Sequence, residues 1–130
     1  MNGSNVLLDT NIISALLKGD VAIADEIDKS SKVYLSATVV GELFYGAQYS
    51  IQIENNIKNI KKLISTYEVL NIDAETSAIY GKIKSILRKN GTPIPENDIW
   101  IASTAIQHKL ILSTRDKHFD QIKDLSWMAW

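Results

Sequence analysis

Short apolar runs alternate with longer amphipathic segments along almost the whole chain, and this alternation limits the possible folds most strongly. Strands are predicted for residues 5–9, 32–35, 67–72, 109–113 and, as a fifth, 125–129. Helices are predicted for residues 10–18, 21–29, 38–49, 53–64, 74–90 and 98–108. Strands that alternate with helices usually form a parallel sheet with helices on both faces. We therefore predict a three-layer α/β/α fold with a mostly parallel central sheet of four to five strands.

The helical predictions rest on the spacing of apolar residues and on the residues that end helices. In segment 38–49 the apolar residues recur at i, i+3, i+4 and i+7, which is the pattern of one buried helix face: Val40, Leu43, Phe44 and Ala47. Gly91 follows the longest predicted helix and is the residue type that most often ends one. Pro93 and Pro95 keep the segment after it extended.

Length and composition fit one compact domain that covers residues 1–130. The chain has 130 residues, of which 45% are hydrophobic and 22% charged, and its net charge of -1 argues against a general polyanion binder. Cysteine is absent, so disulfides, thiolate zinc sites and cysteine nucleophiles are excluded. No apolar run is long enough to cross a bilayer, and the N-terminus lacks the features of a secretion signal. A cytoplasmic location is therefore expected.

Asp9 and Asp116 are placed by the first and fourth predicted strands. Asp9 ends the first strand, and Asp116 comes a short turn after the fourth. In an open parallel sheet, ligands bind beyond the carboxyl ends of the strands, so both side chains are expected to point toward a binding crevice. Asp98 opens a predicted helix after the proline-rich loop, where it has two interpretations, a helix cap or a site residue.

Glu42 lies inside an otherwise apolar helix, which is an unusual position for a carboxylate. Its neighbours one turn away include Val39 and Tyr45, and none of them is charged. Residues 33–57 contain no lysine or arginine, so no local ion pair is available to it. A carboxylate in a largely buried helix needs a partner. Glu42 is therefore either an exposed residue of this helix or part of the same site as the aspartates.

Several carboxylates gathered in one crevice would repel one another, and a divalent cation would relieve that repulsion. Mg²⁺ and Mn²⁺ prefer oxygen ligands. His108 and His118 are the only imidazoles, which together with the lack of cysteine disfavours zinc. The four acids Asp9, Glu42, Asp98 and Asp116 are thus a candidate site for Mg²⁺ or Mn²⁺.

Four segments of the chain resemble, in order and spacing, the motifs of PIN-domain nucleases. They are Leu-Asp-Thr-Asn at 8–11, Ser-Ala-Thr-Val-Val-Gly-Glu-Leu-Phe-Tyr-Gly at 36–46, Asn-Asp-Ile-Trp-Ile-Ala at 97–102, and Leu-Ser-Thr-Arg-Asp at 112–116 followed by His-Phe. The resemblance spans nearly the whole chain, and the most similar subgroup is the VapC-type toxins of toxin–antitoxin pairs. It implies a PIN-like fold and hydrolysis of RNA phosphodiester bonds.

The resemblance also implies roles for individual residues. Asp9, Glu42, Asp98 and Asp116 would hold one or two Mg²⁺ or Mn²⁺ ions. Thr10 or Asn11, together with Thr114, would orient carboxylates and water, although Thr114 could instead be a simple turn residue. Asn97 is a weaker candidate for such a role. Arg115 is either a contact to substrate phosphate or a solvated side chain.

A cognate antitoxin and a homodimer are the protein partners that the resemblance implies. One candidate contact surface is the apolar stripe Ile53, Ile57, Ile60 and Ile64, for which core packing is the alternative. Four aromatic residues likewise have two interpretations, as part of the core or of an interface: Tyr45, Tyr49, Trp100 and Trp130.

Other functions fit the residues less well. A receiver domain would need an acidic pair after the first strand, and a haloacid-dehalogenase-type phosphatase would need Asp-x-Asp where this chain has Asp-Thr-Asn at 9–11. A PIN-like module that binds RNA or protein without cutting is the stronger alternative. DNA cleavage is also open, because no residue is recognised as a reader of the 2′-hydroxyl.

Overall fold

The structure, a computed structural model, describes residues 3–130. Within these residues the structure has five strands, namely β1 (Asn5–Leu8), β2 (Lys32–Ser36), β3 (Glu68–Leu70), β4 (Ile111–Ser113) and β5 (Trp127–Met128). Six α-helices connect them: α1 (Thr10–Leu17), α2 (Val21–Lys29), α3 (Ala37–Gln48), α4 (Ile53–Thr66), α5 (Ala74–Lys89) and α6 (Glu96–Gln107). A short 3-10 helix spans Lys117–Gln121.

The strands form one sheet in the order β3-β2-β1-β4-β5, and every neighbouring pair is parallel. The six helices flank this sheet, so the predicted three-layer α/β/α fold with a mostly parallel sheet is confirmed. The chain adds β2 and β3 on one side of β1, and then β4 and β5 on the other. Strand order therefore reverses at β1 and β4, and such a reversal opens a crevice at the carboxyl ends of the two strands.

Two of the differences from the predicted boundaries, each of two residues, lie around α6. This helix begins at Glu96, two residues before the predicted start, because Pro95 already has a backbone geometry that can precede a helix. Asp98 is consequently in the first turn of α6 and does not cap it. After α6, Lys109 adopts φ 57°, the left-handed conformation that ends many helices. This turn delays β4 to Ile111, two residues after the predicted start.

The core lies on both sides of β1, whose residues Val6, Leu7 and Leu8 are completely buried. A strand that is buried on both faces reads as a continuous apolar run, as this one does. Of the apolar stripe on α4, Ile60 is buried and Ile57 and Ile64 pack against the core, whereas Ile53 is exposed. Core packing therefore accounts for most of the stripe. Within residues 3–130, no helix has the length and apolar character needed to cross a membrane.

Candidate active site

Asp9 occupies the crevice at the strand reversal, directly after β1. Its backbone N–H donates to the Ser113 carbonyl at 2.9 Å, which extends the pairing of β1 with β4 by one residue. One carboxylate oxygen, Oδ1, accepts from the backbone N–H of Thr10 at 2.8 Å and so caps α1. The strand and the helix together fix this side chain at the floor of the crevice, where it is only 5% exposed.

The second oxygen of Asp9 is held by two side chains that the sequence had marked. Thr114 Oγ1 donates to Asp9 Oδ2 at 2.6 Å, and Asn11 Nδ2 donates to the same oxygen at 3.3 Å. Burial nevertheless raises the pKa of Asp9 above its usual value, and the charges of Glu42 and Asp116 add to that rise. The hydrogen bonds from Thr114 and Thr10 act in the opposite direction.

Thr114 connects two of the predicted site residues. Its hydroxyl donates to Asp9 and accepts from the backbone N–H of Asp116 at 3.0 Å. The side chain is completely buried, which is unusual for a simple turn residue. Asp116 in turn caps the 3-10 helix by accepting from the backbone N–H of His118 at 2.9 Å.

Asp98 faces Asp116 across the crevice from the first turn of α6, and His118 lies between them. His118 Nδ1 is 3.0 Å from Asp116 Oδ1 and 3.5 Å from Asp98 Oδ2. Ligand atoms of these three residues all lie within 4.8 Å of one another. Burial, followed by the charges of Asp9 and Asp116, raises the pKa of Asp98 to about 6, although His118 partly offsets the rise.

Glu42 reaches the crevice from α3 and is partly buried there. Its Oε1 accepts from Thr10 Oγ1 at 2.5 Å, and its Oε2 accepts from Asn97 Nδ2 at 3.2 Å. These contacts supply the partners that the sequence around Glu42 lacks. Asp9 and Glu42 line the same crevice as Asp98 and Asp116 but lie outside the tight group with His118.

The four acids open onto a single cleft of about 850 Å³. Its remaining lining residues come from α1, from the turn between α1 and α2, and from the turn after β4: Thr10, Asn11, Ser14, Ala15, Lys18, Gly19, Asp20 and Arg115. All four acidic residues proposed from the sequence therefore converge on one place, and so do Asn11 and Thr114, which contact Asp9.

The donor set at the deep end of the cleft fits a hard divalent cation. Carboxylate oxygens are the ligands that Mg²⁺ and Mn²⁺ prefer, and they are the majority of the donors here, with one imidazole nitrogen beside them. The raised pKa values of Asp9 and Asp98 indicate carboxylates that this fold does not fully satisfy. A bound cation would stabilise their charged forms.

His118 is the site residue that the sequence reasoning missed. From the sequence alone, it serves only as an argument against zinc and as part of a motif. One signal was present, because it follows Asp116 by two residues in a short turn, where the side chains can meet. Arg115 has two interpretations from sequence, and in the structure it contacts Asp20 and the backbone oxygen of Trp130.

Comparison with known proteins identifies the family. A model of the PIN domain matches residues 6–125. The chain is 35% identical over 129 residues to "Ribonuclease VapC1" of Haemophilus influenzae strain R2866, covering 95% of this chain and 96% of that one. It is 31% identical over 127 residues to "tRNA(fMet)-specific endonuclease VapC" of Shigella flexneri, with the same coverage.

A solved structure agrees with these sequence matches. The structure of VapBC-1 from nontypeable Haemophilus influenzae contains a chain that superposes with a TM-score of 0.89 at 34% identity. The match covers 97% of this chain and 98% of that one. The chain therefore belongs to the PIN-domain family, within its VapC group.

Proposed function

We propose that this protein is a metal-dependent endoribonuclease that acts as the toxin of a toxin–antitoxin pair, built as one PIN domain over residues 1–130. The observation that carries the proposal is the convergence of Asp9, Glu42, Asp98 and Asp116 on one cleft at the strand reversal. Four acids from four separate parts of the chain meet where a parallel sheet binds its ligands.

The acids have different proposed positions around a bound Mg²⁺ or Mn²⁺ ion. Asp98 and Asp116 are the proposed direct ligands, with His118 beside them. Asp9 is the proposed ligand from the floor of the cleft, where Thr114 and Asn11 fix its orientation. The ion, when bound, would activate water and offset the charge that develops on the phosphate oxygens.

Glu42, which reaches the cleft from α3, is the proposed fourth acidic group. Thr10 and Asn97 hold one oxygen each, so its carboxylate keeps a fixed direction. A carboxylate fixed in this way can accept a proton or orient a water molecule without losing its place. Direct hydrolysis by an activated water needs no covalent nucleophile from the protein.

Relatives support RNA as the substrate. The names of two similar proteins describe a ribonuclease and an endonuclease specific for tRNA(fMet). Because RNA is the proposed substrate, the cytoplasm is the proposed place of action. We propose RNA as the class of substrate.

An antitoxin and a second copy of the chain are the proposed protein partners. The similar Haemophilus chain was solved as part of VapBC-1, which supports a partner protein here. Tyr45 and Tyr49, at the end of α3, are 65% and 78% exposed and contact each other edge to face, and Ile51 beside them is fully exposed. This surface is a candidate contact for a partner. Trp100 and Trp130 pack against Tyr80 and the core respectively.

Cleavage assays test the proposal against its alternatives. Single-stranded RNA and DNA of the same sequence would be incubated with the protein in Mg²⁺ or Mn²⁺, with and without EDTA. We expect cutting of RNA that EDTA stops and that Asp9→Asn abolishes. RNA binding without cutting would favour the non-catalytic module, and equal cutting of DNA would contradict the restriction to RNA. Cutting that survives Asp9→Asn would point to a contaminating nuclease.

A further inference from the structure

One face of α1 joins the acidic end of the cleft to its other end. Asn11, Ser14 and Lys18 are spaced i, i+3 and i+7, and all three line the cleft. At a rise of about 1.5 Å per residue, Lys18 lies roughly 10 Å along the helix axis from Asn11. Because Asn11 contacts Asp9, the cleft runs from the proposed metal ligands along α1 to Lys18.

The far end of the cleft carries its two cationic side chains. Lys18 and Arg115 are the basic residues among those that line it, and both residues are exposed. The charge of the cleft is therefore uneven, with the four acids at one end and, at the other, two cations beside the single carboxylate of Asp20. A polyanion that places one phosphate at the acidic end, beside a divalent ion, would bring a neighbouring phosphate toward the cations.

Arg115 is fixed at this position by three contacts. Its Nη2 pairs with Asp20 Oδ2 at 3.1 Å, and its Nε donates to the Trp130 carbonyl at 2.9 Å. Its backbone N–H donates to Asn11 Oδ1 at 3.2 Å, which ties it to the residue that contacts Asp9. A guanidinium has five N–H donors, so these side-chain contacts leave donors for another anion.

Asp20 limits how strongly Arg115 can attract that anion. Its side chain also caps α2 by accepting from the backbone N–H of Ile23 at 3.2 Å, which holds the carboxylate beside the guanidinium. One negative charge thus offsets part of the positive charge at this end of the cleft. Removing the charge of Asp20 while keeping the cap should expose the full attraction of Arg115.

We propose that Lys18 and Arg115 form a subsite for a backbone phosphate of the RNA strand, separate from the scissile phosphate at the acids. At about 3.4 Å of rise per nucleotide in a stacked strand, the length of α1 places this phosphate up to about three nucleotides from the cut. The subsite reads the backbone and no base, so it adds affinity and sets the path of the strand. This inference rests on the proposed nuclease function.

Steady-state kinetics on single-stranded RNA test the subsite. Lys18→Gln should raise KM about three- to fivefold with little change in kcat, as expected for one exposed charge pair. It should also lower the slope of log affinity against log salt by about 0.7. Lys82→Gln on α5 removes the same charge outside the cleft and is the matched control. Equal effects of both variants would overturn the proposal.

RNA substrates with one uncharged linkage test which backbone phosphate occupies the proposed subsite. Methylphosphonate linkages would be placed singly at one, two or three nucleotides from the cut on each side. We expect one of them to raise KM for the unaltered protein and to have much less effect in Lys18→Gln, since the two changes remove the same contact. A uniform response along the strand, or the same response in both proteins, would contradict a discrete subsite.

Asp20→Asn separates a binding role of Arg115 from a structural one. Asparagine caps helices as well as aspartate, so α2 should keep its start. The subsite predicts a lower KM in this variant, because Arg115 loses a competing anion. An unchanged or higher KM would exclude Arg115 from the subsite. If the unaltered protein cuts no RNA, the proposed nuclease function is wrong. If it cuts RNA and Lys18→Gln leaves KM unchanged, only the proposed subsite is wrong.

Discussion

Asp73 and Asp98 both lie at the start of a helix, and these helices, α5 and α6, pack against each other. The pKa values of the two carboxylates are nevertheless shifted in opposite directions. Asp73 Oδ1 accepts from the backbone N–H of Thr76 at 3.1 Å and from Gln107 Nε2 at 2.9 Å. These bonds lower the pKa of Asp73, the bond from the Thr76 backbone having the largest effect. Asp98 is partly buried among other acids, and its pKa rises to about 6.

The difference separates a carboxylate whose charge the fold stabilises from one whose charge it does not. The protein supplies every partner that Asp73 needs, so its charge contributes to stability without any ligand. Asp98 keeps its charge at a cost, because burial and neighbouring carboxylates disfavour it. A fold that retains such a group needs something from outside to stabilise it, and a divalent cation is the partner that fits the surrounding donors.

The largest expected effect is on catalysis. Asp98→Asn should lower the rate of RNA cleavage by at least about a hundredfold, since changes that merely disturb the support of a metal ligand already cost 10–100-fold. Asp73→Asn should leave the rate unchanged, because this side chain lies outside the cleft. Initial rates of both variants under identical Mn²⁺ concentrations check this contrast. Similar rates for the two variants would remove the distinction drawn between them.

The pH dependence of stability should differ between the two carboxylates. The folded protein releases the proton of Asp98 near pH 6 and the unfolded chain near 3.8, so without metal this group lowers the free energy of unfolding as pH rises between those values. The loss should be about 3 kcal/mol and persist above pH 6. Asp73 acts in the opposite sense, because its pKa is lowered on folding and its contribution disappears as pH falls through that value.

Asp98→Asn should therefore stabilise the metal-free protein at pH 7 and flatten the change between pH 4 and 6. Urea denaturation in EDTA at several pH values measures both quantities. A variant that is less stable than the unaltered chain at pH 7 would show that Asp98 has satisfactory partners after all.

Thr114 gives a smaller effect through Asp9. Thr114→Val keeps the shape of this buried side chain and removes the hydroxyl that holds Asp9 Oδ2 and the Asp116 backbone. Metal affinity should fall by about tenfold, as for other groups that orient a metal ligand. Thr114→Ser keeps the hydroxyl and should retain most of the affinity. Isothermal titration calorimetry with Mn²⁺ compares the metal affinity of the three proteins. Equal affinities would show that Thr114 contributes only to packing.

The smallest effect expected is the loss of a helix cap. Asp73→Ala should lower the free energy of unfolding by about 1 kcal/mol, because the start of α5 loses its side-chain acceptor. RNA cleavage at a temperature well below the melting point should be unaffected. Thermal denaturation and the cleavage assay, run on the same sample, check both parts. A large fall in cleavage at low temperature would connect this helix start to the cleft.

Much of the fold was predictable because the period of the apolar residues changes between strands and helices. The element boundaries that moved depended on single turns, such as the left-handed Lys109 that shortens β4. Asp9 and Asp116 could be placed from the rule that ligands bind beyond parallel strands. The partners of Glu42 could not, because Thr10 and Asn97 are 32 and 55 residues away in the sequence and meet it only through tertiary packing.

His118 also could not be assigned to the site from the sequence alone. Its spacing from Asp116 was visible, but its distance from Asp98 depends on how α6 packs beside the turn after β4. The contacts of Arg115 likewise become visible only in the structure, where the turn between α1 and α2 and the residue Trp130 lie beside it. Chemistry that depends on one local motif can be predicted from sequence, whereas chemistry assembled from distant segments needs the fold.

Direct binding of Mn²⁺ is the most decisive measurement. Electron paramagnetic resonance of free Mn²⁺ at neutral pH, titrated against the unaltered protein, Asp98→Asn and Asp73→Asn, reports binding without any RNA. We predict saturable binding to the unaltered protein and to Asp73→Asn, and a large loss of affinity in Asp98→Asn. Equal binding by all three proteins, or none by the unaltered protein, would contradict the claim that the acids of the cleft hold a divalent ion.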